Sequence, residues 1–269
     1  QLAPGGGLTL TGALAVDGGT VKLDGNYPTG TDNVALGNTS LGNVEAGGTN
    51  NVAIGDDSLK ALTTGDNNTA VGYRSLKTAV TSLSNTAIGA LALCTNTGGN
   101  NTAIGANAME CNTSGDNNTA VGKQANFKNT TGASNTSIGN EALKCNTTAS
   151  NNTAVGRLSL AANTTGTQNT AVGFCSLNAN TTGANNVGVG YATLFDNTTG
   201  LQNTAIGSYS LTNNTTANNN TAVGYNSLLT NTTGANNVAV GSLSGDAITT
   251  GSTNVAMGRG SLGANTTGS

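Results

Sequence analysis

Apolar and polar positions along this chain recur with neither a helical period nor simple strand alternation. A five-residue pattern, Asn, Thr or Val, a small residue, an aliphatic and Gly, appears fourteen times. Its glycines are Gly37, Gly55, Gly72, Gly89, Gly105, Gly122, Gly139, Gly156, Gly173, Gly190, Gly207, Gly224, Gly241 and Gly258. They are spaced 18, 17, 17, 16 and then 17 residues nine times in succession. Self-similarity at a fixed period is the mark of stacked-unit architectures. Each unit also has a second half. Ser, Ala or Thr follows three residues after the glycine in every copy, and Leu or Met comes next in twelve, with Asn126 and Gly245 the exceptions. Seven residues after the glycine stands Asn in ten copies, usually opening N-T-T-G, as at Asn163-Thr164-Thr165-Gly166.

The unit N-[TV]-A-[VI]-G-x-x-[SA]-L-x-x-N-T-T-G-x-x is too short for a helical pair and has no 3.6-residue period. It predicts an all-β fold, a parallel β-solenoid of about fourteen 17-residue coils, each with two short strands joined by two Gly/Asn-rich turns. N-T-A-V-G reads as a strand of β-branched residues stopped by a glycine free to take positive φ. N-T-T-G reads as a turn. Coils stacked about 4.8 Å apart would give a rod on the order of 65 Å long.

Stacking places like residues above one another. The expected core is the aliphatic before each glycine (Val71, Ile88, Val155, Ile206, Val223) with the later Leu (Leu76, Leu93, Leu160, Leu211, Leu228). Asn33 to Asn254, including Asn68, Asn152 and Asn220, form a column suited to an amide ladder that satisfies turn backbone groups. Gly72, Gly156 and Gly224 end their strands. The small residue at the strand centre (Ala35, Ala70, Ser137, Gly188, Ala222) is expected on the face opposite the aliphatic, because strand side chains alternate. That smooth face would meet another chain. One slender coil buries little alone, so association is expected, most simply a homotrimer around the rod axis.

Composition agrees with a repeat and excludes an ordinary globule. Gly (40), Asn (42) and Thr (46) supply nearly half of 269 residues, aromatics only 3% and charged residues 8%. Disordered chains are usually rich in charge or Pro, and this one has two Pro. A net charge of −3 gives no footprint for nucleic acid. No apolar stretch of about 18 residues predicts membrane insertion.

Candidate chemistry is sparse. There is no His, so neither an enzyme triad nor a His-bearing zinc site is expected, and no cofactor is called for. Asp56, Asp57, Asp66 and Asp116 fall on turns and read as solvated acids, with a calcium or paired-carboxylate site as the rival reading. Cys94, Cys111, Cys145 and Cys175 have no CxxC pairing and read as free small hydrophobes, with pairing between chains as the rival reading. Tyr73, Phe174, Tyr191 and Tyr225 share the position after the glycine. They pack over the turn or against a neighbouring chain, or else form a glycan-binding stripe.

Residues 1–32 depart from the repeat. They read as a Pro/Gly linker followed by a strand–turn–strand cap or shaft junction, with the solenoid domain spanning 33–269.

The motif N-x-A-[VI]-G-x-x-[SA] resembles the head repeat of trimeric autotransporter adhesins (YadA-like heads), which are left-handed parallel β-rolls intertwined as homotrimers. The longer unit, as in Asn220-Thr221-Ala222-Val223-Gly224-Tyr225-Asn226-Ser227-Leu228 through Gly234, is similar to repeats in tail-fibre structural proteins of bacteriophages. Residues from Gly7 to Tyr27 are similar to segments that precede such repeats. Adhesin heads use shorter units than this one. The resemblance implies a phage tail-fibre shaft in the virion, a rigid trimeric spacer supporting host attachment. Its partners would be itself, other fibre proteins and a host cell-surface glycan or receptor. Ending mid-repeat at Ser269, the chain would fit a cleaved or truncated product. The alternative is a bacterial surface adhesin whose rod binds host or matrix. A third reading is an ice-binding solenoid, disfavoured because the Thr columns share turns with Asn and Gly and form no Thr-x-Thr strand face.

Overall fold

The computed structural model describes residues 32–45 and 47–269. The proposed linker and cap therefore lie outside the described residues, save for Asp32. Among the described residues the fold is all-β. Fourteen three-residue strands run from β1 (Val34–Leu36) to β14 (Val255–Met257), and each pairs in parallel with the next in sequence order. Register is position on position: Ala70 of β3 (Thr69–Val71) lies beside Ala87 of β4 (Thr86–Ile88), and Ala222 of β12 (Thr221–Val223) beside Ala239 of β13 (Val238–Val240). The chain is a β-solenoid with one coil per repeat.

Among the described residues, the expected second strand of each coil is absent. After each strand-ending glycine the backbone alternates in hand, so that Arg74 has φ 55° and Leu76 φ 48°. Every described residue at the Leu position is left-handed. Such a conformation costs a non-glycine residue about 1–2 kcal/mol. It persists because the Leu side chain is buried, which returns about 1.5–3 kcal/mol, and because the turn is still tied to the next coil. Leu76 N–H donates to Ala92 O at 3.0 Å and Thr78 N–H to Cys94 O at 3.1 Å. The coil thus keeps an inter-coil ladder on both sides with only one strand.

The strand faces the opposite way from the expectation. Ala70, Ala87 and Ala222 at strand centres are fully buried, whereas Ile88 is 39% and Ile206 41% exposed. Val71, Val155 and Val223 share that outward column and are half-buried. The interior is a column of Ala (Ser137 and Gly188 in two coils) facing a column of Leu, including Leu76, Leu160 and Leu228, with no solvent access between the terminal coils. The smooth small-residue column is the core, and the outer face of the sheet carries β-branched side chains.

Gly188 shows how tightly the interior is filled. In its coil the residue facing the strand centre is Thr193 rather than Ser or Ala, and a methyl group on Gly188 would sit 2.6 Å from Ser176 Oγ and 2.9 Å from Thr193 Oγ1. The space a side chain at Gly188 would need is taken by the hydroxyls of Ser176 and Thr193, which hydrogen-bond each other at 2.7 Å.

Candidate functional site

Two columns of buried asparagine hold the turns. In the first, each Asn side chain accepts from the next coil and donates across its own. Asn68 N–H and Nδ2 both donate to Asn51 Oδ1, at 2.9 and 3.1 Å, and Nδ2 also donates to Ser82 O at 2.8 Å. Asn152 and Asn220 repeat the pattern, their N–H groups donating to Asn135 and Asn203 Oδ1 at 3.0 Å and their Nδ2 to Gly166 and Gly234 O. The N-T-T-G asparagine builds a second ladder that sequence reasoning treated only as a turn. Its amides link coil to coil, as Asn146 Nδ2 to Asn129 Oδ1 at 2.8 Å. Both columns meet on one carbonyl, Gly132 O, which accepts from Asn118 and Asn129 Nδ2 at 2.9 Å each. The strict recurrence of that Asn in ten copies was the available signal. Where the second column is interrupted it leaves a gap: Ile248 stands in place of the next Asn, and Asn231 Oδ1 is buried without a donor.

Strand-ending glycines are demanded by geometry. Gly156 has φ 130°, and a methyl group on it would lie 2.5 Å from Gly173 O. Gly72 (φ 135°) and Gly224 (φ 136°) are alike.

The acids on turns act as caps between coils. Asp66 Oδ1 accepts from Thr49 N–H at 2.8 Å and Asp116 Oδ1 from Gly99 N–H at 2.6 Å. The same turn site is filled elsewhere by Ser150 and Asn218, whose oxygens accept from Ala133 and Leu201 N–H. Asp57 differs. It accepts from Thr39 Oγ1 at 2.6 Å and Lys60 Nζ at 2.8 Å, with Arg74 and Lys77 at 3.5 Å. The hydrogen bonds from Lys60 and then Thr39 hold its carboxyl far below the usual carboxylate range. Among the described residues, no three His, Cys, Asp or Glu side chains come together. The four cysteines are free, and burial raises the thiols of Cys94, Cys111 and Cys175 above their ordinary value.

The aromatic position divides in two. Tyr73 stands alone, under the Arg74 guanidinium at 4.8 Å. Phe174 and Tyr191 stack with ring centroids 5.4 Å apart, and Arg157 lies 5.5 Å from the Phe174 centroid. Tyr225 joins them only through Tyr209, which crosses Tyr191 at 5.1 Å and Tyr225 at 6.4 Å, both edge-on. Tyr209 was missed because it sits one residue later than the others, after Ser208; the neighbouring register was its signal. The neighbouring Tyr191 phenol, with some burial, raises the Tyr209 phenol. All five rings are exposed, Tyr225 the most at 53%.

No helix among the described residues is long and apolar enough to cross a membrane. No protein-family model matches this chain, and no curated protein matches it.

Proposed function

We propose that this chain is a structural shaft: a rigid β-solenoid spacer of a bacteriophage tail fibre, working as a homotrimer that holds host-binding parts away from the particle. The observation that carries it is the unbroken ladder. Fourteen strands pair in one register without a gap, and two asparagine columns tie the turns between them. Bending such a rod breaks many hydrogen bonds at once, so its output is stiffness. The assignment to a virion rests on the likeness of the repeat to phage fibre repeats.

Trimerisation is supported by the outward face of the sheet. Leu36, Ile54, Ile88, Ile104, Ile138 and Ile206 are all exposed in one continuous column beside the strand Thr residues. A run of exposed apolar side chains along one face of the rod is the kind of surface that contact between copies would bury. Light scattering should return three times the 26.2 kDa chain mass, and negative-stain images should show rods on the order of 65 Å long. A monomer mass overturns the trimer. Electron cryomicroscopy of the native particle tests the location, since fibre density with this repeat supports the virion and its presence only on bacterial cells supports the adhesin.

One observation favours a second reading, ice binding. Thr69, Thr86, Thr102 and their equivalents stand in one outward column on the strand face, beside the aliphatic column, although the strands read Thr-x-Val or Thr-x-Ile and form no Thr-x-Thr face. The two readings compete for the same surface. Thermal hysteresis at millimolar protein together with a monomer mass would select ice binding.

A further inference from the structure

The geometry points to a glycan-binding stripe formed by Phe174, Tyr191, Tyr209 and Tyr225 on the side of the rod, taking an extended oligosaccharide of neutral sugars. The stripe is local. Elsewhere, apart from the isolated Tyr73, the position after the glycine is filled by non-aromatic residues such as Asp56, Ala90, Lys123, Asn140 and Ser242, so the coil does not need an aromatic there to fold. Yet four of the eight Phe and Tyr in the chain gather on four consecutive coils, with all four rings exposed. A trimer seam, by contrast, must repeat in every coil of a uniform rod, as the outward aliphatic column does. The stripe therefore answers to something other than self-association.

The chemistry fits a sugar. A pyranose offers an apolar C–H face to aromatic carbon and a rim of hydroxyls to polar groups, and Tyr supplies both in one side chain. Successive centroids are 5.4, 5.1 and 6.4 Å apart, close to the length one pyranose adds to an extended chain, so one ring can meet one sugar. The crossed packing of Tyr209 against both neighbours varies the presentation of faces and edges along the stripe. No acid occupies these positions, and Arg157 at one end is the one cation in the stack. A single cation neutralises too little phosphate backbone for a single-stranded nucleic acid, which would also stack on aromatics.

Affinity electrophoresis of the full chain through gels containing hydroxyethyl cellulose, yeast mannan, a β-galactan, alginate or oligodeoxythymidylate tests this. At least one neutral polysaccharide should retard the protein. Tyr191→Ala and Tyr225→Ala should each weaken that binding about tenfold, while Tyr73→Ala, six coils away, should not. Tyr225 is the most exposed ring, so its variant is expected to keep the native melting profile even if Tyr191→Ala does not. Retardation by none of the neutral polymers, retardation only by alginate or the oligonucleotide, or neutral binding indifferent to Tyr225→Ala overturns the proposal. So does a fall in assembled mass for Tyr225→Ala, which would make the stripe a contact between copies. None of these outcomes depends on whether the rod belongs to a virion.

Discussion

Asn129 Nδ2 donates to Asn112 Oδ1, one coil away, at 2.6 Å. Its own Oδ1 in turn accepts from Asn146 Nδ2, so removing one amide strands partners on both sides. Asn129→Ala is expected to destabilise by about 1–3 kcal/mol. Asn118→Ala should cost more, because Asn118 Oδ1 also accepts the backbone N–H of Asn135 at 2.9 Å, and a buried backbone donor has no alternative there. Equilibrium denaturation of the two variants checks the order.

Asn126 takes the place of Leu in the core, and both of its amide atoms are buried without a partner. Asn126→Leu should stabilise the rod by about 1–3 kcal/mol by removing an unsatisfied polar group. Neighbouring coils already hold Leu143 and Met109 in the same left-handed conformation, so the backbone accepts the change. An unchanged or lowered denaturation midpoint would contradict this.

Gly188 and Thr193 are coupled through the space they share. Gly188→Ala alone should cost about 1–3 kcal/mol from overpacking. In the Gly188→Ala/Thr193→Ser double variant part of that cost should vanish, because coils with Ala at the strand centre carry Ser or Ala at the facing position, while the nearer contact, Ser176 Oγ, stays in place. A double-mutant cycle giving additive effects would show that the two sites do not touch.

Gly156→Ala should be more damaging than any of these, combining about 1–3 kcal/mol of backbone strain with the collision against Gly173 O. Gly258→Ala, at φ 104° with nothing within 4 Å of the added methyl, should show the strain alone. The difference between the two melting temperatures isolates the steric part.

Asp57 makes stability depend on acid. Its folded carboxyl lies below the ordinary value of 3.8, so its contribution is complete above that pH and is lost as pH falls through the folded value. The melting temperature should drop on acidification below about pH 4, and Asp57→Asn should flatten that drop. Equal acid slopes in the two proteins would rule Asp57 out as the cause.

The 17-residue register determined most of what is observed: the parallel ladder, the order of strands, the buried Leu column and the recurring Asn. Period alone fixes which residues lie above which, since identical units stack in one register. It could not say which side of Thr69-Ala70-Val71 turns inward. Alternation places Ala70 and Val71 on opposite faces and is silent about which face is the core. That was decided by the width of the closed coil, where Leu76 reaches in from the turn and leaves room opposite only for a methyl group. The same closure put Leu76 in a left-handed conformation no propensity would assign, and brought Tyr209 into line with Tyr191 despite its shifted position. Sequence determined the stacking, whereas the shape of one closed coil, which depends on all of its residues at once, decided inside from outside.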